Sequence, residues 1–528
     1  MRDFALPGRS PIYGTGAMAA TSHPQATRIA VETMRDGGNA VDAAIAAAAV
    51  LTVVEPHMTG IGGDCFALIA EPGRPVTAIN GAGRAPDGLS LDTLTAQGIT
   101  ALDIQSPHSV TVPGAIAAWD ELALCFGTRP LGDLLAPAIS FAKEGYVVAP
   151  RIAADWAGQV GKLATNAGAC THLLRDGAAP AVGTVWSSPA LATTLETIAH
   201  DGARAFYEGD IAEDIVTTLR DLGGVHTRDD FARQTAQHLT PVASKYAGLD
   251  LYQLPPSNSG IVANLMLHIL ARVDAAAAPA HSARRYHLFL EAARLAYAAR
   301  NRFIADPEQA DVPVDHFLSN SLADELASRI DPERRAEDLG SIPDAPGSDT
   351  IYLCVVDAEG RAVSLINSIY SAFGSGIVTE KTGIVLHNRG QGFSLELGHP
   401  NVIAPRKRPL HTLLPAIACR DGRPEIVFGV MGALFQPMGQ VYVLTNLVDH
   451  GMDPQQALDF PRIFFEDDHL EAESGVAPQT VDALREMGHD VRPREEAWGG
   501  GQVIRIDQAT GVLTGASDPR KDGCALGW

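Results

Sequence analysis

The chain has 528 residues, 46% of them hydrophobic, and carries 62 acidic against 40 basic side chains for a formal net charge of −22. That length is ample for large cores, the apolar fraction is that of a soluble globular protein, and the acid excess argues against nucleic acid and anionic membranes as partners. Cys65, Cys125, Cys170, Cys354, Cys419 and Cys524 are dispersed with no C-x-x-C pair, and there is neither an H-E-x-x-H nor a clustered His/Cys set, so a metal has no support. The first ten residues hold no apolar core of signal-peptide length. Together with reduced thiols this fits a cytoplasmic protein.

Ser22-His23-Pro24-Gln25 reads as a capping box with proline in the first turn, opening a helix through Met34 that Asp36-Gly37-Gly38 ends. Ala40–Val54 is a second, nearly all-apolar helix; it contains Asp42 and stops at Glu55-Pro56, which marks a buried helix and not a membrane span. A glycine-rich loop, Thr59-Gly60-Ile61-Gly62-Gly63-Asp64, leads into strands at 65–70 and 76–80. Two helices against paired strands begin a layered α+β domain. Over about 131–335 helical patterns dominate, as at 189–200, 210–222, 262–273 and 287–303, with Pro255-Pro256-Ser257-Asn258-Ser259-Gly260 breaking the series. Strands return at 351–356, 363–370, 383–386, 416–419, 426–428 and 502–507. The two strand-rich ends are expected to join in one core, covered by the helical middle.

Thr350 stands at the start of a strand-like run, directly after the Pro/Gly-containing segment 343–349. Cut before Thr350, the chain would expose a threonine with a free α-amine of pKa about 8, able to take the proton from its own hydroxyl. Downstream, Ala358-Glu359-Gly360 suits a three-residue hairpin loop with Gly360 in the left-handed position. That register puts Thr350 opposite Ser368, whereas a two-residue loop would put Ile369 there. The turn Gly429-Val430-Met431-Gly432-Ala433-Leu434 is either a packing turn or a source of backbone N–H groups for a developing oxyanion. Arg406, Lys407 and Arg408 are either solvated charge or an anchor for an acidic substrate. Gly14-Thr15-Gly16 has no βαβ context, Gly60-Ile61-Gly62-Gly63 lacks a P-loop lysine, and no G-x-S-x-G elbow exists.

In order along the chain stand Ala20-Thr21-Ser22-His23-Pro24, Asp36-Gly37-Gly38-Asn39-Ala40-Val41-Asp42-Ala43-Ala44, Gly60-Ile61-Gly62-Gly63-Asp64, Pro256-Ser257-Asn258-Ser259-Gly260, Glu291-Ala292-Ala293-Arg294-Leu295-Ala296-Tyr297-Ala298, Phe373-Gly374-Ser375-Gly376-Ile377, Arg408-Pro409-Leu410 and Ala516-Ser517-Asp518-Pro519-Arg520. Through these the chain resembles, over nearly its whole length, the γ-glutamyltransferase family of N-terminal-nucleophile hydrolases. The resemblance implies a four-layer αββα sandwich of α+β class with a helical middle region, and no cofactor. It implies self-cleavage between Asp349 and Thr350 into a large chain, 1–349, and a small one, 350–528, which stay partners within one domain. Pairing of two such heterodimers into a homodimer is allowed. Thr350 would be nucleophile and, through its α-amine, base; Ser368 would support it; Gly432 and Ala433 would supply the oxyanion amides.

The departures bear on substrate. The family's substrate-binding arginine is replaced by Ala82, with Arg84 two residues on; an asparagine is replaced by Tyr370, an aspartate by Gly392, and a serine pair by His411 and Thr412. Substrate contacts are therefore expected from Arg84, Tyr370, Arg389, Gln391, His411 and Thr412. An ammonium left without that aspartate in a closed site would cost on the order of several kcal/mol. The expected substrate is a small carboxylate-bearing amide without an amine: oxamate-like, a dicarboxylic monoamide or an N-acyl amide. A true γ-glutamyltransferase or glutathione hydrolase, and an uncleaved, non-catalytic binding relative, are the alternatives.

Overall fold

The computed structural model describes residues 8–337, 339, 350–466 and 468–528. Asp349, and with it the bond expected to be cut, lies outside the described residues. Fourteen strands form two seven-stranded sheets: β1 (Ile12–Gly14), β2 (Met18–Thr21), β3 (Asp64–Ala70), β4 (Thr77–Gly81), β5 (Gln237–Leu239), β6 (Val242–Tyr246), β7 (Leu249–Gln253), β8 (Ile351–Val356), β9 (Ala362–Ser368), β10 (Ala416–Arg420), β11 (Arg423–Met431), β12 (Gly500–Ile506), β13 (Leu513–Ser517) and β14 (Cys524–Gly527). One sheet runs β14-β2-β8-β9-β3-β4-β5, the other β1-β13-β12-β11-β10-β7-β6. Both thus mix strands from the two ends of the chain.

The sheets pack face to face, β8 against β11 and β12. Helices α1 (Pro24–Arg35), α2 (Ala40–Val54), α3 (Ala115–Phe126), α4 (Leu131–Glu144) and α5 (Pro189–Asp201) gather on the outer side of the first sheet, where α2 lies on β8 and β9. Helices α6 (Gly260–Arg272), α7 (Ala283–Phe303) and α8 (Phe435–Val448) gather on the second, with α8 on β11. The result is an αββα sandwich. Strands with a layer on each face are buried throughout, which is why β3, β8 and β9 are consecutively buried and do not alternate. For the same reason α2 is buried at all positions. Its capping box is complete: Asn39 Oδ1 accepts from Val41 N (2.8 Å) and Asp42 N (3.0 Å), and Asp42 Oδ2 accepts from Asn39 N (2.8 Å).

Three expectations are corrected. The middle of the chain is not only a helical cover: β5, β6 and β7 lie in it, with β5 and β6 at sheet edges. Short, polar edge strands of this kind avoid edge-to-edge pairing and leave little apolar signal. The cap of α1 is His23, whose Nδ1 accepts from Gln25 N at 3.2 Å; Ser22 is drawn instead into a hydrogen bond to the buried Glu55 carboxylate. Residues 383–386 make single bridges, Val385 to Val378 and Leu386 to Gly62, and not a strand. Among the described residues no helix is long and apolar enough to cross a membrane.

Candidate active site

The β8–β9 hairpin has the three-residue loop, with Gly360 at φ +78° and Ile351 paired to Asn367. Thr350 is therefore brought beside Ser368, their hydroxyl oxygens 3.0 Å apart and both buried. Ser368 Oγ also accepts from Tyr370 N at 2.8 Å. Tyr370 sits at φ +77°, a left-handed conformation that costs a bulky residue about 1–2 kcal/mol. On the neighbouring strand, Ser368 is opposite Asp64.

Arg389, in a short turn, is 1% exposed. Its Nη1 donates to Thr412 Oγ1 at 3.0 Å and its guanidinium lies 4.1 Å from the centroid of the Tyr370 ring, a cation–π contact. Its Nη2 has no hydrogen-bond partner, and no carboxylate among the described residues is within ion-pair distance. Burial pulls the Arg389 pKa down to about 10, against the opposing pull of Tyr370 and Asp64, so the group stays cationic near neutrality.

Asp64 is the carboxylate nearest to these groups, and it is occupied. Its Oδ1 accepts from Gly83 N (3.0 Å) and Gly114 N (3.2 Å), its Oδ2 from His411 Nε2 (3.1 Å), with His387 Nδ1 at 3.5 Å. Desolvation raises the Asp64 pKa, but His387 and His411 outweigh it and hold the carboxyl below its ordinary value. Burial, reinforced by Arg389, pushes His411 down to about 3, which keeps the imidazole neutral as the donor to Asp64.

Gly432 (φ +127°) and Ala433 (φ +45°) form the turn from β11 into α8. Packing places this turn at the Thr350 end of the sandwich. The Tyr352 ring, two residues past Thr350, fills the space where a Cβ on Gly429 would sit, 2.3 Å from it. No carbonyl among the described residues accepts from the amides of Gly432 or Ala433.

Thus Thr350, Ser368, Tyr370, Arg389 and Thr412 form one connected group, which His411 joins through Asp64. Two other candidates are engaged elsewhere. Arg84 is bidentate to Glu308 (2.8 Å to each oxygen), which Arg408 also binds at 2.8 Å, and Arg84 donates to Arg406 O at 2.9 Å. Gln391 donates to Leu102 O (3.2 Å) and accepts from Asn388 (3.3 Å). Sequence reasoning missed the role of Asp64, whose only signal was its place after the glycine loop.

Among the described residues two groups approach metal-ligand spacing, Glu121-Cys125-His238 and His287-Glu291-His489. In the first, Glu121 Oε1 already takes His238 (2.5 Å) and Cys125 (3.2 Å); in the second, Glu291 is held by Arg294 (3.0 Å) and Ala336 N (2.9 Å). Neither includes a residue of the Thr350 group.

A family model described as Gamma-glutamyltranspeptidase matches residues 26–528. The chain is 36% identical over 527 residues to the Glutathione hydrolase-like YwrD proenzyme of Bacillus subtilis (strain 168), covering 98% of this chain and 99% of that protein. It is 37% identical over 531 residues to the Oxamate amidohydrolase proenzyme of Klebsiella pneumoniae subsp. pneumoniae, covering 97% and 99%. The crystal structure of cephalosporin acylase from Bacillus halodurans matches with a TM-score of 0.92 at 36% identity, covering 100% of this chain and 99% of that one.

Proposed function

The chain belongs to the gamma-glutamyltranspeptidase family, whose members here are hydrolases of C–N bonds, and from that premise we propose a self-cleaving amidohydrolase specific for small carboxylate-bearing acyl amides without an α-ammonium. Cleavage between Asp349 and Thr350 gives chains 1–349 and 350–528. The proenzyme names of the relatives support processing, and the oxamate amidohydrolase among them supports an amine-free acyl group.

The Thr350 Oγ1 then attacks the amide carbonyl while its α-amine takes the hydroxyl proton. The tetrahedral oxyanion receives the amides of Gly432 and Ala433. The C–N bond breaks, the leaving amine takes the proton, and water hydrolyses the acyl ester to release a carboxylic acid and restore the threonine. Ser368, 3.0 Å from the Thr350 oxygen, orients it.

The observation that carries the substrate class is the free Nη2 of the buried Arg389 beside an Asp64 with both oxygens taken. A carboxylate gains a charge-assisted bond there; an ammonium meets a cation and neutral His411. The name of the B. subtilis relative favours glutathione hydrolysis as a second reading. Two measurements decide. Intact mass should give two fragments meeting at 349/350, absent in Thr350→Ala. Glutaryl-p-nitroanilide and γ-glutamyl-p-nitroanilide differ only by the ammonium; the first should have a kcat/KM at least about tenfold higher. Equal or faster turnover of the γ-glutamyl compound would overturn the substrate class.

A further inference from the structure

A second buried guanidinium bears on Tyr370. Arg300, in the last turn of α7, is 5% exposed. Its Nε and Nη2 both donate to Oδ1 of the adjacent Asn301 (3.0 and 2.7 Å), and the group lies 5.0 Å from the centroid of the Tyr297 ring. Its Nη1 has no hydrogen-bond partner, and no carboxylate among the described residues is within ion-pair distance.

The contacts of α7 fix where this group lies. One turn back, the Tyr297 hydroxyl donates to Leu434 O, next to the Gly432–Ala433 turn. Just beyond the helix, Asp306 Oδ2 accepts from Arg408 N at 2.8 Å, at the head of the segment that leads to His411 and Thr412. The end of α7 thus lies between the Gly432–Ala433 turn and the start of the segment 408–412, whose Thr412 meets Arg389. Burial raises the Tyr370 hydroxyl pKa, and the two cations that oppose this are Arg389 and Arg300.

Other buried arginines reach a carboxylate or several acceptors, although Nε of Arg285 and Nε of Arg408 also lack a partner. Arg462 pairs with Asp518 and Arg294 with Glu291. Arg285, with no carboxylate, spreads its two Nη atoms over Ala280 O (3.2 Å), Thr445 Oγ1 (2.9 Å) and Asn446 Oδ1 (2.8 Å). The C-terminal dipole of α7 and the Tyr297 ring offset part of the Arg300 charge, but they offer Nη1 no acceptor. A buried, desolvated N–H of a cation is costly unless something supplies one.

We infer that Arg300 is a second anion subsite, so that the amide this site is built for carries two carboxylates, one met by Arg389 and one by Arg300. This rests on the reading of Thr350 as an amidohydrolase nucleophile. The second carboxylate has two sources, the leaving amine, as in an N-acyl amino acid, or the acyl group itself.

Three chromogenic amides tested on the processed enzyme separate these. Glutaryl-p-nitroanilide carries one carboxylate, glutaryl-3-carboxy-4-nitroanilide adds one on the leaving amine, and 3-carboxyglutaryl-p-nitroanilide adds one on the acyl group. One dianion should show a KM about tenfold or more below that of the monoanion. Arg300→Gln should erase that advantage while leaving the monoanion KM within about twofold, and Arg300→Lys should restore part of it. Denaturant midpoints no lower for Arg300→Met than for the parent would exclude a purely structural role. Equal KM values for all three amides on the parent enzyme, or a uniform KM rise in Arg300→Gln, would overturn the subsite. The parent comparison stands even if no variant folds. Turnover of none of the three would instead overturn the reaction.

Discussion

The β8–β9 hairpin has two ends, and they treat buried polar groups in opposite ways. At the turn end, Asp357 accepts from Ala40 N (3.0 Å), Arg361 N (2.9 Å) and Glu359 N (3.2 Å), while Arg361 binds Glu71 (2.9 Å) and Asp357 (3.2 Å). At the Thr350 end, Arg389 and Arg300 each keep an N–H without an acceptor, and Tyr370 is held left-handed. The turn end also borders a cleft of about 730 Å³ lined in part by Gly73, Asp357, Glu359 and Asp421. A cleft alone does not make a site. Satisfied groups hold a fold, whereas a buried cation without an acceptor beside a nucleophile calls for a partner that the chain does not supply.

The largest effect should come from Thr350→Ala: a single uncleaved chain by intact mass, and a loss of at least about 10⁴-fold in kcat, the scale of removing a nucleophile. Next, Arg389→Met and Arg361→Met should move in opposite directions. Arg389→Met removes an unpaired buried cation, so stability should hold or rise while KM for glutaryl-p-nitroanilide rises about 30- to 150-fold, from the ~2–3 kcal/mol of a hydrogen bond to a charged group. Arg361→Met strips a half-buried pair from Asp357 and should cost about 1–2 kcal/mol in denaturant unfolding with KM unchanged. Destabilisation by Arg389→Met would erase the contrast between the two ends.

A smaller effect is a pH slope. His411 falls to about 3 on folding from its ordinary 6.5, and burial also lowers His387. Protons therefore favour the unfolded chain: the stability these groups allow is full above about pH 6.5 and drains as pH falls toward 3. Asp64, held low, works in the same direction below about pH 4. His411→Asn should flatten the fall in denaturant midpoint between pH 6.5 and 4; an unchanged slope would mean the pair is not what titrates.

What was legible in the sequence is what local rules determine. Loop length set the hairpin register, and with it Thr350 beside Ser368; a nearly all-apolar run between Asp36-Gly37-Gly38 and Glu55-Pro56 set α2. What was not legible depends on partners distant in sequence. Ser22 had the chemistry of a cap but is claimed by Glu55, 33 residues on. The strands β5 and β6 are edges whose few apolar residues do not alternate clearly. Neither Asp64 nor Arg300 is marked by its neighbours in sequence, and only the count of partners around each separates a saturated carboxylate from an unsatisfied cation.

The smallest predicted effect is also a sharp test of the two-ended picture. Arg84 and Arg389 are both candidate carboxylate anchors by sequence, yet Arg84 spends its guanidinium on Glu308 and on the carbonyl of Arg406. Its side chain is 22% exposed against 47% for Glu308, and Arg408 still holds Glu308 when Arg84 is gone. Arg84→Ala should therefore change KM for glutaryl-p-nitroanilide by less than about threefold and stability by under about 1 kcal/mol, the range for a partly exposed pair. A KM rise matching that of Arg389→Met would place the carboxylate at Arg84, and the orientation that aims it at Arg389 would have to be given up.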